Sequence, residues 1–263
     1  MKLKYYQVDA FAENVFKGNP AGVIFSELDD EMLMQKIAFE NNLSETAFVS
    51  KKNDEYFIRW FTPYCEVDLC GHATLASAYI YFYYIDKNSN KFTVNSKSGY
   101  LEITKKDDKF SMNFPVDSIN EFTKDLPEID GFLGQKPSKI YKGRDDYLCI
   151  FSSEKDVANL KPNFSYSTSI NSRGIIVSAK SNKYDFVSRC FFPQTGVDED
   201  PVTGSAHTTL IPYWSKILNK TSLIAKQISQ RGGVLECELS KDRVIISGRC
   251  VLFLEGEIIL NSC

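Results

Sequence analysis

Hydrophobic and polar positions alternate in short runs along most of this chain, a pattern typical of β-strands. In the first half these runs predict strands at residues 4–10, 21–25, 46–49, 56–61, 91–94, 100–103 and 109–114. In the second half they predict strands at residues 138–141, 147–151, 174–178, 186–192, 226–230, 234–239 and 243–247, with closing strands between 248 and 259. The chain is therefore predicted to be dominated by sheet.

Three longer stretches predict helices. One covers residues 31–40 and begins next to a capping aspartate. A second, residues 73–85, is apolar on almost every side, so a helix there must be buried on most faces, as it would be inside a strongly curved sheet. A third follows residue 205 and contains Pro212. Because proline removes a helical hydrogen bond, we expect a bend there or a helix shorter than its counterpart.

The second and third of these helices follow two copies of one motif. The first copy reads Asp68-Leu69-Cys70-Gly71-His72, and the second reads Asp200-Pro201-Val202-Thr203-Gly204-Ser205. The offset between the glycines of the two copies recurs, to within one residue, between Gly99 and Gly233 and between Lys109 and Arg243. Self-similarity at this long period indicates a duplicated domain rather than a solenoid.

The duplication predicts the domain organisation. We expect an N-terminal repeat domain at residues 1–116, completed by a C-terminal strand near 250–263, and a C-terminal repeat domain at residues 117–249. Half of this chain is a normal size for one domain, and a position between two such halves is a common place for a ligand.

Composition and charge exclude several classes of function. With 263 residues and 43% hydrophobic content, the chain can bury a substantial core. A net charge of −3 gives neither a basic footprint for nucleic acid nor a polybasic membrane signal. The first residues lack the apolar core of a signal peptide, and no apolar run approaches the roughly 20 residues that span a bilayer. We expect a cytoplasmic protein with no nucleic-acid or membrane partner.

The cysteines do not indicate disulfides or a metal site. They are odd in number and irregularly spaced, at positions 65, 70, 149, 190, 237, 250 and 263, so we expect reduced thiols. Cys65, Cys70 and His72 lie close in sequence, but no second pair of ligands follows them. A structural zinc site requires four well-spaced ligands, and we therefore predict no metal.

Four side chains are candidates for chemistry. Glu45 stands at the entry to a predicted strand, where it is either solvated or turned inward with Ala47; a partly buried glutamate can serve as acid and base near neutral pH. His72 either caps a helix or hydrogen-bonds a substrate oxygen and passes on a proton. Asp200 is either a turn residue or orients a substrate amine or hydroxyl. Ser205 is either a helix cap or binds a carboxylate.

The duplicated motif favours a joint role for these residues, because three of the four lie within it. Backbone N–H groups at a helix start bind anions. Two such starts facing each other would clamp a carboxylate substrate.

Five segments, in their order along the chain, resemble the PhzF-like phenazine-biosynthesis family. They span a region from Gln7 to about Gly256, and they are Gly18-Asn19-Pro20-Ala21, Ser44-Glu45-Thr46-Ala47-Phe48, Asp68-Leu69-Cys70-Gly71-His72-Ala73-Thr74-Leu75, Asp198-Glu199-Asp200-Pro201-Val202-Thr203-Gly204-Ser205-Ala206-His207 and Gln230-Arg231-Gly232-Gly233. The resemblance implies an α+β, diaminopimelate epimerase-like fold of two pseudo-symmetric domains. Each would be a curved, mostly antiparallel, barrel-like sheet around a central helix, with the active site in the cleft between the domains. It also implies a homodimer.

The resemblance further implies a cofactor-independent isomerase that acts on a small carboxylic acid, cyclic or amino-acid-like. The prototype of the family isomerises trans-2,3-dihydro-3-hydroxyanthranilate without a metal or organic cofactor. By resemblance, Glu45 takes a proton from one ring carbon and returns it to another, and His72, Asp200 and Ser205 match the other catalytic positions. The implied substrate-binding positions are Asn19, Ser44, Gly71, Ala73, Gly204, Ala206 and Gly232.

Two alternatives remain open from the sequence. Diaminopimelate epimerase-like enzymes use two opposed cysteines, each preceding a glycine; here Cys70 occupies the first place and Thr203 the second. A threonine hydroxyl is a far poorer base than a thiolate, but an epimerase or racemase that uses Cys70 together with Glu45 is not excluded. The other alternative is a non-catalytic protein that binds a small ligand in the same pocket.

Overall fold

The computed structural model describes residues 1–260, which fold as two compact units. The first unit comprises Met1–Asn113 and the segment that starts at Ser247, and the second comprises Phe114–Ile246. The sequence placed the two domain changes a few residues later, after residues 116 and 249. The last three residues of the predicted C-terminal strand, 261–263, lie outside the described residues.

The first unit contains strands β1 (Lys2–Ala10), β2 (Asn19–Phe25), β3 (Glu45–Lys52), β4 (Glu55–Phe61), β5 (Glu66–Val67), β6 (Lys91–Ser96), β7 (Gly99–Lys106) and β8 (Lys109–Pro115), the last running to the unit boundary, together with β18 (Cys250–Ile259). Strand β1 pairs antiparallel with both β2 and β18. Strand β2 pairs parallel with β3, and β3 pairs antiparallel with β4. Strand β4 then pairs antiparallel with β5 and parallel with β6, and β6 pairs antiparallel with β7.

The second unit repeats this series of pairings. Its strands are β9 (Asn120–Glu121), β10 (Lys139–Lys142), β11 (Asp146–Ile150), β12 (Gly174–Lys180), β13 (Phe186–Phe192), β14 (Val197–Asp200), β15 (Ser222–Gln227), β16 (Gly233–Ser240) and β17 (Arg243–Gly248), the last of which crosses the unit boundary after Ile246. Strand β11 pairs antiparallel with β10 and parallel with β12, and β12 pairs antiparallel with β13. Strand β13 then pairs antiparallel with β14 and parallel with β15, and β15 pairs antiparallel with β16. The predicted α+β fold of two pseudo-symmetric domains is confirmed.

Two pairs of helices lie at equivalent places in the two series of strands. The helices are α1 (Glu31–Asn41), α2 (Gly71–Ile80), α3 (Pro127–Leu133), α4 (Glu154–Asn159) and α5 (His207–Leu218), and a π-helical turn (Tyr81–Ile85) continues α2. Helix α1 begins where the Asp30 side chain accepts from the Leu33 N–H at 3.1 Å, and it ends at the left-handed Asn42. Within residues 1–260, no helix has the length and apolar character needed to cross a membrane.

Helix α2 is buried along nearly its whole length, as its apolar sequence predicted. Leu75, Ala76, Ala78 and Ile80 are completely inaccessible to solvent. Its two buried hydroxyls donate to carbonyls one turn earlier, from Thr74 to Cys70 at 2.6 Å and from Ser77 to Ala73 at 2.8 Å. Polar side chains are therefore tolerated in this helix because they are satisfied within it.

Helix α5 is not shortened by its proline. It runs for twelve residues through Pro212, which cannot donate to the Thr208 carbonyl one turn earlier. That carbonyl instead accepts from the backbone N–H of Asp117 at 3.1 Å, and the Asp117 carboxylate accepts from the Thr209 hydroxyl at 3.0 Å. A segment outside the helix thus supplies the hydrogen bond that the proline removes.

The six described cysteines are free thiols, as expected, and Cys263 lies outside the described residues. Cys65 is exposed, and the other five are buried. Burial raises the pKa of the Cys149, Cys190, Cys237 and Cys250 thiols well above the usual range.

Candidate active site

The centre of the candidate site in the first unit is a carboxylate next to an imidazole. Glu45 is the first residue of β3, and His72 is the second residue of α2. Oε2 of Glu45 lies 3.2 Å from Nε2 of His72. The Glu45 side chain is 16% exposed, whereas the His72 side chain is 6% exposed. The glutamate therefore retains some access to solvent, and the histidine lies behind it.

The other ring nitrogen of His72 faces two further groups. Its Nδ1 lies 3.2 Å from Nδ2 of Asn19 and 3.5 Å from Sγ of Cys70. Burial lowers the pKa of His72 to about 3, because the charged imidazolium loses its solvation inside the protein. His72 is therefore neutral at physiological pH, and it acts through one N–H and one lone pair.

Asn19 reaches this histidine because of a tight turn before β2. Gly18 has a φ of +68°, and a Cβ atom there would stand 2.1 Å from the Ala10 carbonyl oxygen. Asn19 then pairs with Ala10 in the ladder between β1 and β2, and it is completely buried. Only glycine permits this approach of the two backbones, and the approach places the amide of Asn19 beside His72.

The arrangement of Glu45, Cys70 and His72 does not fit a metal cage well. Their donor atoms lie within 4.8 Å of one another, which brings together three potential ligands. However, the carboxylate lies against Nε2 and the thiol against Nδ1 of the same ring. The lone pairs of the two nitrogens point away from each other, so an ion on one nitrogen would have to draw in the donor from the other side.

The start of α2 presents backbone N–H donors near Glu45 and His72. The first N–H of the helix with an internal partner is that of Thr74, which donates to the Cys70 carbonyl at 3.1 Å. The N–H groups of Gly71, His72 and Ala73 precede it, and Cys70 caps the helix without a side-chain hydrogen bond. Such a turn attracts the negative charge of a carboxylate.

In the second unit, Asp200 is held by the residue that corresponds to Cys70 in the repeat. The Thr203 hydroxyl donates to Oδ2 of Asp200 at 2.5 Å. Gln227, fully buried at the end of β15, accepts from the Thr203 N–H at 2.9 Å and donates to the Asp200 carbonyl at 2.7 Å. These bonds fix the backbone and the carboxylate of the second motif at the same time.

Ser205 lies in a turn that leads into α5. The N–H groups of His207 and Thr208 donate to the carbonyls of Gly204 and Ser205, both at 3.0 Å, so the turn winds tightly before the helix begins. The N–H groups of Gly204, Ser205 and Ala206 precede these donors, and Ser205 is partly exposed. The second motif thus offers a hydroxyl together with a helix start.

His207 follows this turn and is completely buried. Its Nδ1 lies 2.9 Å from the Thr203 carbonyl oxygen, and its ring packs against Phe186. Because a carbonyl only accepts, the proton of this imidazole is on Nδ1. Burial lowers the pKa of His207 to about 4, which leaves the ring neutral.

The Gly232 loop is tied to the same motif. Ser229 donates its hydroxyl to the Pro201 carbonyl at 2.7 Å and accepts from the Gly232 N–H at 3.0 Å. Gly232 itself has a φ of +65°, a backbone conformation that favours glycine. The serine therefore connects the loop that carries Gly232 to the segment that carries Asp200.

Within each unit, the structure places the predicted residues in neighbouring segments. In the first unit Asn19, Glu45 and His72 are in direct contact, Ser44 precedes Glu45, and Gly71 and Ala73 flank His72. In the second unit the predicted residues lie in the motif or in the loop tied to it; they are Asp200, Gly204, Ser205, Ala206 and Gly232.

Sequence reasoning missed Gln227 and Ser229 as residues that hold the second motif. The signal for Gln227 was the alternation of β15, in which Leu223, Ala225 and Gln227 share the buried face. A glutamine among inward-facing apolar residues needs hydrogen-bond partners, and this one finds them in the Asp200–Thr203 segment. Nothing in the sequence distinguished Ser229 from an ordinary loop serine.

The chain is similar to known proteins over nearly its whole length. The sequence profile of the phenazine biosynthesis-like protein family, PhzC-PhzF, matches residues 8–256. A protein of Halalkalibacterium halodurans named as an uncharacterized isomerase is 47% identical over 268 residues, covering 99% of this chain and all of that protein. The crystal structure of a PhzF family protein of Enterococcus faecalis is 48% identical, with a TM-score of 0.94 over 99% of this chain and all of that one.

One remote neighbour shows the fold alone. A hydroxyproline epimerase of Agrobacterium vitis, solved with trans-4-hydroxy-L-proline bound, has a TM-score of 0.64 at 8% identity, over 99% of this chain and 93% of that one. It places the chain among epimerase-like folds.

Proposed function

The chain belongs to the phenazine biosynthesis-like protein family and is an isomerase, and we propose that it moves a proton on a small carboxylic acid by general acid/base catalysis, without a metal or organic cofactor. The proposed substrate is cyclic or amino-acid-like, as in an isomerase of trans-2,3-dihydro-3-hydroxyanthranilate. Homodimerisation is part of the proposal.

The observation that carries the proposal is the contact between Glu45 and His72 beside the start of α2. The Glu45 side chain is 16% exposed, which leaves it partly accessible, and a neutral imidazole lies 3.2 Å from its Oε2 atom. The first N–H groups of α2 offer a place for a negative charge. An acid/base group and an anion site in adjacent segments are what a proton shift beside a carboxylate requires.

In the proposed reaction, Glu45 takes a proton from one carbon of the substrate and returns it to another. The electron pair that is left behind delocalises into the adjacent conjugated system. N–H donors stabilise the developing anion, which acidifies the carbon. Asp200 orients a polar substituent, and Ser205 binds a carboxylate through its hydroxyl and the adjacent N–H groups. These roles for Asp200 and Ser205 rest on the resemblance and on the hydrogen bonds that hold their motif.

We place Cys70 outside the proton transfer. Its sulfur faces Nδ1 of His72, while Glu45 faces Nε2. Cys70 is also buried, with 6% of its surface exposed. Cys70→Ser tests the epimerase alternative: the proposal predicts that the exchange rate remains within about an order of magnitude of that of the unmodified protein.

The central test is proton exchange in heavy water. Unmodified protein should incorporate deuterium into at least one member of a panel of cyclic and amino carboxylic acids that includes trans-2,3-dihydro-3-hydroxyanthranilate, as followed by NMR. Glu45→Gln should slow that exchange by about 10²–10⁴-fold, since it removes the acid/base group. Glu40→Gln, at an exposed position of α1, is the matched control and should leave the rate unchanged. Exchange at the normal rate in Glu45→Gln, or no exchange across the panel with the unmodified protein, would contradict the proposal.

A further inference from the structure

His72 lies between Asn19 and Glu45, and this row of three side chains determines where the single proton of the neutral imidazole resides. Nδ1 lies 3.2 Å from the amide nitrogen of Asn19, and Nε2 lies 3.2 Å from a carboxylate oxygen of Glu45. An amide NH₂ group only donates, and an ionised carboxylate only accepts. Asn19 therefore requires an acceptor at Nδ1, and Glu45 requires a donor at Nε2.

Both demands are met by one tautomer. If Nδ1 carries no proton, its lone pair accepts from Asn19, and the proton on Nε2 faces Glu45. In the opposite tautomer two N–H groups would face each other at Nδ1, and the Nε2 lone pair would face the carboxylate. The Cys70 thiol, 3.5 Å from Nδ1, can also donate to that nitrogen and adds to the same preference.

We propose that Asn19 is a positioning residue that fixes His72 as the Nε2–H tautomer and so directs an N–H at the Glu45 carboxylate. This inference rests on the proposed function of Glu45, but it assigns Asn19 a role that the sequence did not: its amide acts through His72 instead of contacting the substrate. Complete burial of Asn19 in the turn set by Gly18 keeps the amide in place.

The tautomer has a consequence for the path of the proton. Oε2 of Glu45 is buried, with the Nε2 atom of His72 3.2 Å away. A proton taken from the substrate is then carried on Oε1 of Glu45, the oxygen left for the substrate. Neutral His72 keeps its own proton throughout, because burial lowers its pKa to about 3. The abstracted proton therefore stays on Glu45, where it exchanges with solvent or returns to the substrate, and it is not passed to the ring.

The chain provides an internal reference for this assignment. His72 and His207 are its only histidines. His207 must carry its proton on Nδ1, because that nitrogen lies 2.9 Å from the Thr203 carbonyl oxygen. The two rings are both neutral, and they are expected to be opposite tautomers. Nitrogen-15 chemical shifts separate protonated from unprotonated ring nitrogens, so the two patterns are distinguishable in one spectrum.

The test is a long-range proton–nitrogen correlation spectrum of the full chain labelled with ¹⁵N-histidine at neutral pH. His207→Gln removes one set of signals and assigns the other. We expect His72 to be protonated at Nε2 and His207 at Nδ1. A His72 ring protonated at Nδ1 would overturn the inference, and this measurement needs neither substrate nor a variant of the row.

The variant Asn19→Asp tests whether Asn19 determines the tautomer of His72. A carboxylate there accepts rather than donates, so His72 should change to the Nδ1–H tautomer while His207 remains as it was. Unchanged protonation of His72 in a folded Asn19→Asp protein would reject Asn19 as the determinant. In Asn19→Asp, kcat for the Glu45-dependent exchange should fall at least about tenfold, with a smaller change in KM. Should Glu45→Gln retain exchange while the tautomers are as expected, the proposed function fails and the assignment of Asn19 stands.

Discussion

At the scale of single residues, the two copies of the motif use the same position for the same purpose with different chemistry. Cys70 lies against Nδ1 of His72, and Thr203 donates to the carboxylate of Asp200. Comparison with two-thiol epimerases suggests that both are places for a base. In this chain each contacts a candidate site residue of its own unit, His72 or Asp200.

The variant Thr203→Val removes the hydroxyl while keeping the side chain at almost the same shape. The variant removes the 2.5 Å bond to Asp200 and leaves the buried Gln227 amide without the hydroxyl that accepts from it at 3.2 Å. We expect a loss of about 1–3 kcal/mol in the free energy of unfolding, measured in urea. Thr203→Ser keeps the hydroxyl and should lose distinctly less. Equal losses in the two variants would indicate that packing of the methyl group, not the hydrogen bond, is what matters.

At the scale of elements, the fold depends on bonds that pattern alone does not show. Asp117 lies in the segment between β8 and β9, and its backbone N–H donates to the carbonyl that Pro212 leaves without a helical donor. This segment and the helix are therefore joined by a backbone hydrogen bond. An interior proline usually destabilises a helix by about 3 kcal/mol or more, but here part of that cost is offset.

Pro212→Ala measures this offset. Alanine restores a helical N–H, but the Thr208 carbonyl already accepts a bond from Asp117. We therefore expect the free energy of unfolding to rise by less than about 1 kcal/mol, well below the usual effect of removing an interior proline. Urea unfolding of the two proteins gives the comparison, with hydrogen exchange at the Asp117 amide as an independent measure. A gain of about 3 kcal/mol would show that the external bond contributes little.

Alternation predicted most of the strands but not their ends, and it missed the short strands β5, β9 and β14. The strand predicted at residues 226–230 is β15, which ends at Gln227. Gly18, Asn19 and Pro20 indicate a turn, but β2 begins at Asn19. Proline is tolerated there because it pairs with Asp9 on one side only, ahead of the point where β3 joins β2 at Ala21. The apolar stretch at residues 73–85 indicated one helix, and the change to a π-helical turn at Tyr81 carries no signal in an all-apolar sequence.

The residues of the candidate site were predicted where they belong to a motif, and their roles stay predictions. Glu45, His72, Asp200 and Ser205 stand in motifs, whereas the contacts of Gln227 and the proposed tautomer of His72 follow from contacts between segments far apart in the chain. Alternation could place Gln227 on a buried face but could not name its partners.

At the scale of the whole molecule, the two buried histidines make stability depend on pH. Their pKa values fall from 6.5 to about 3 for His72 and to about 4 for His207, because burial excludes the charged form. The contributions of both histidines to the free energy of unfolding are fully present above pH 6.5. They are lost as the pH falls below 6.5 toward the folded values, since the unfolded chain then binds protons that the folded chain does not.

Between pH 8 and pH 5, the free energy of unfolding should fall by about 2 kcal/mol for each histidine. Urea unfolding curves at the two pH values measure the change. His207→Gln should reduce it by about half, even if that variant is less stable at every pH. A pH dependence identical to that of the unmodified protein would mean that His207 titrates alike in the folded and unfolded chains.

The contrast between one exposed thiol and five buried ones also decides how the molecule can be handled. Among residues 1–260, Cys65 is the exposed thiol, and burial deprives the others of access to reagents. Once Cys263 is changed to serine, a maleimide dye can be attached at a single position, in the loop between β4 and β5. A fluorophore placed there precedes α2 in the chain without replacing any residue of the row, which makes ligand binding accessible to optical titration.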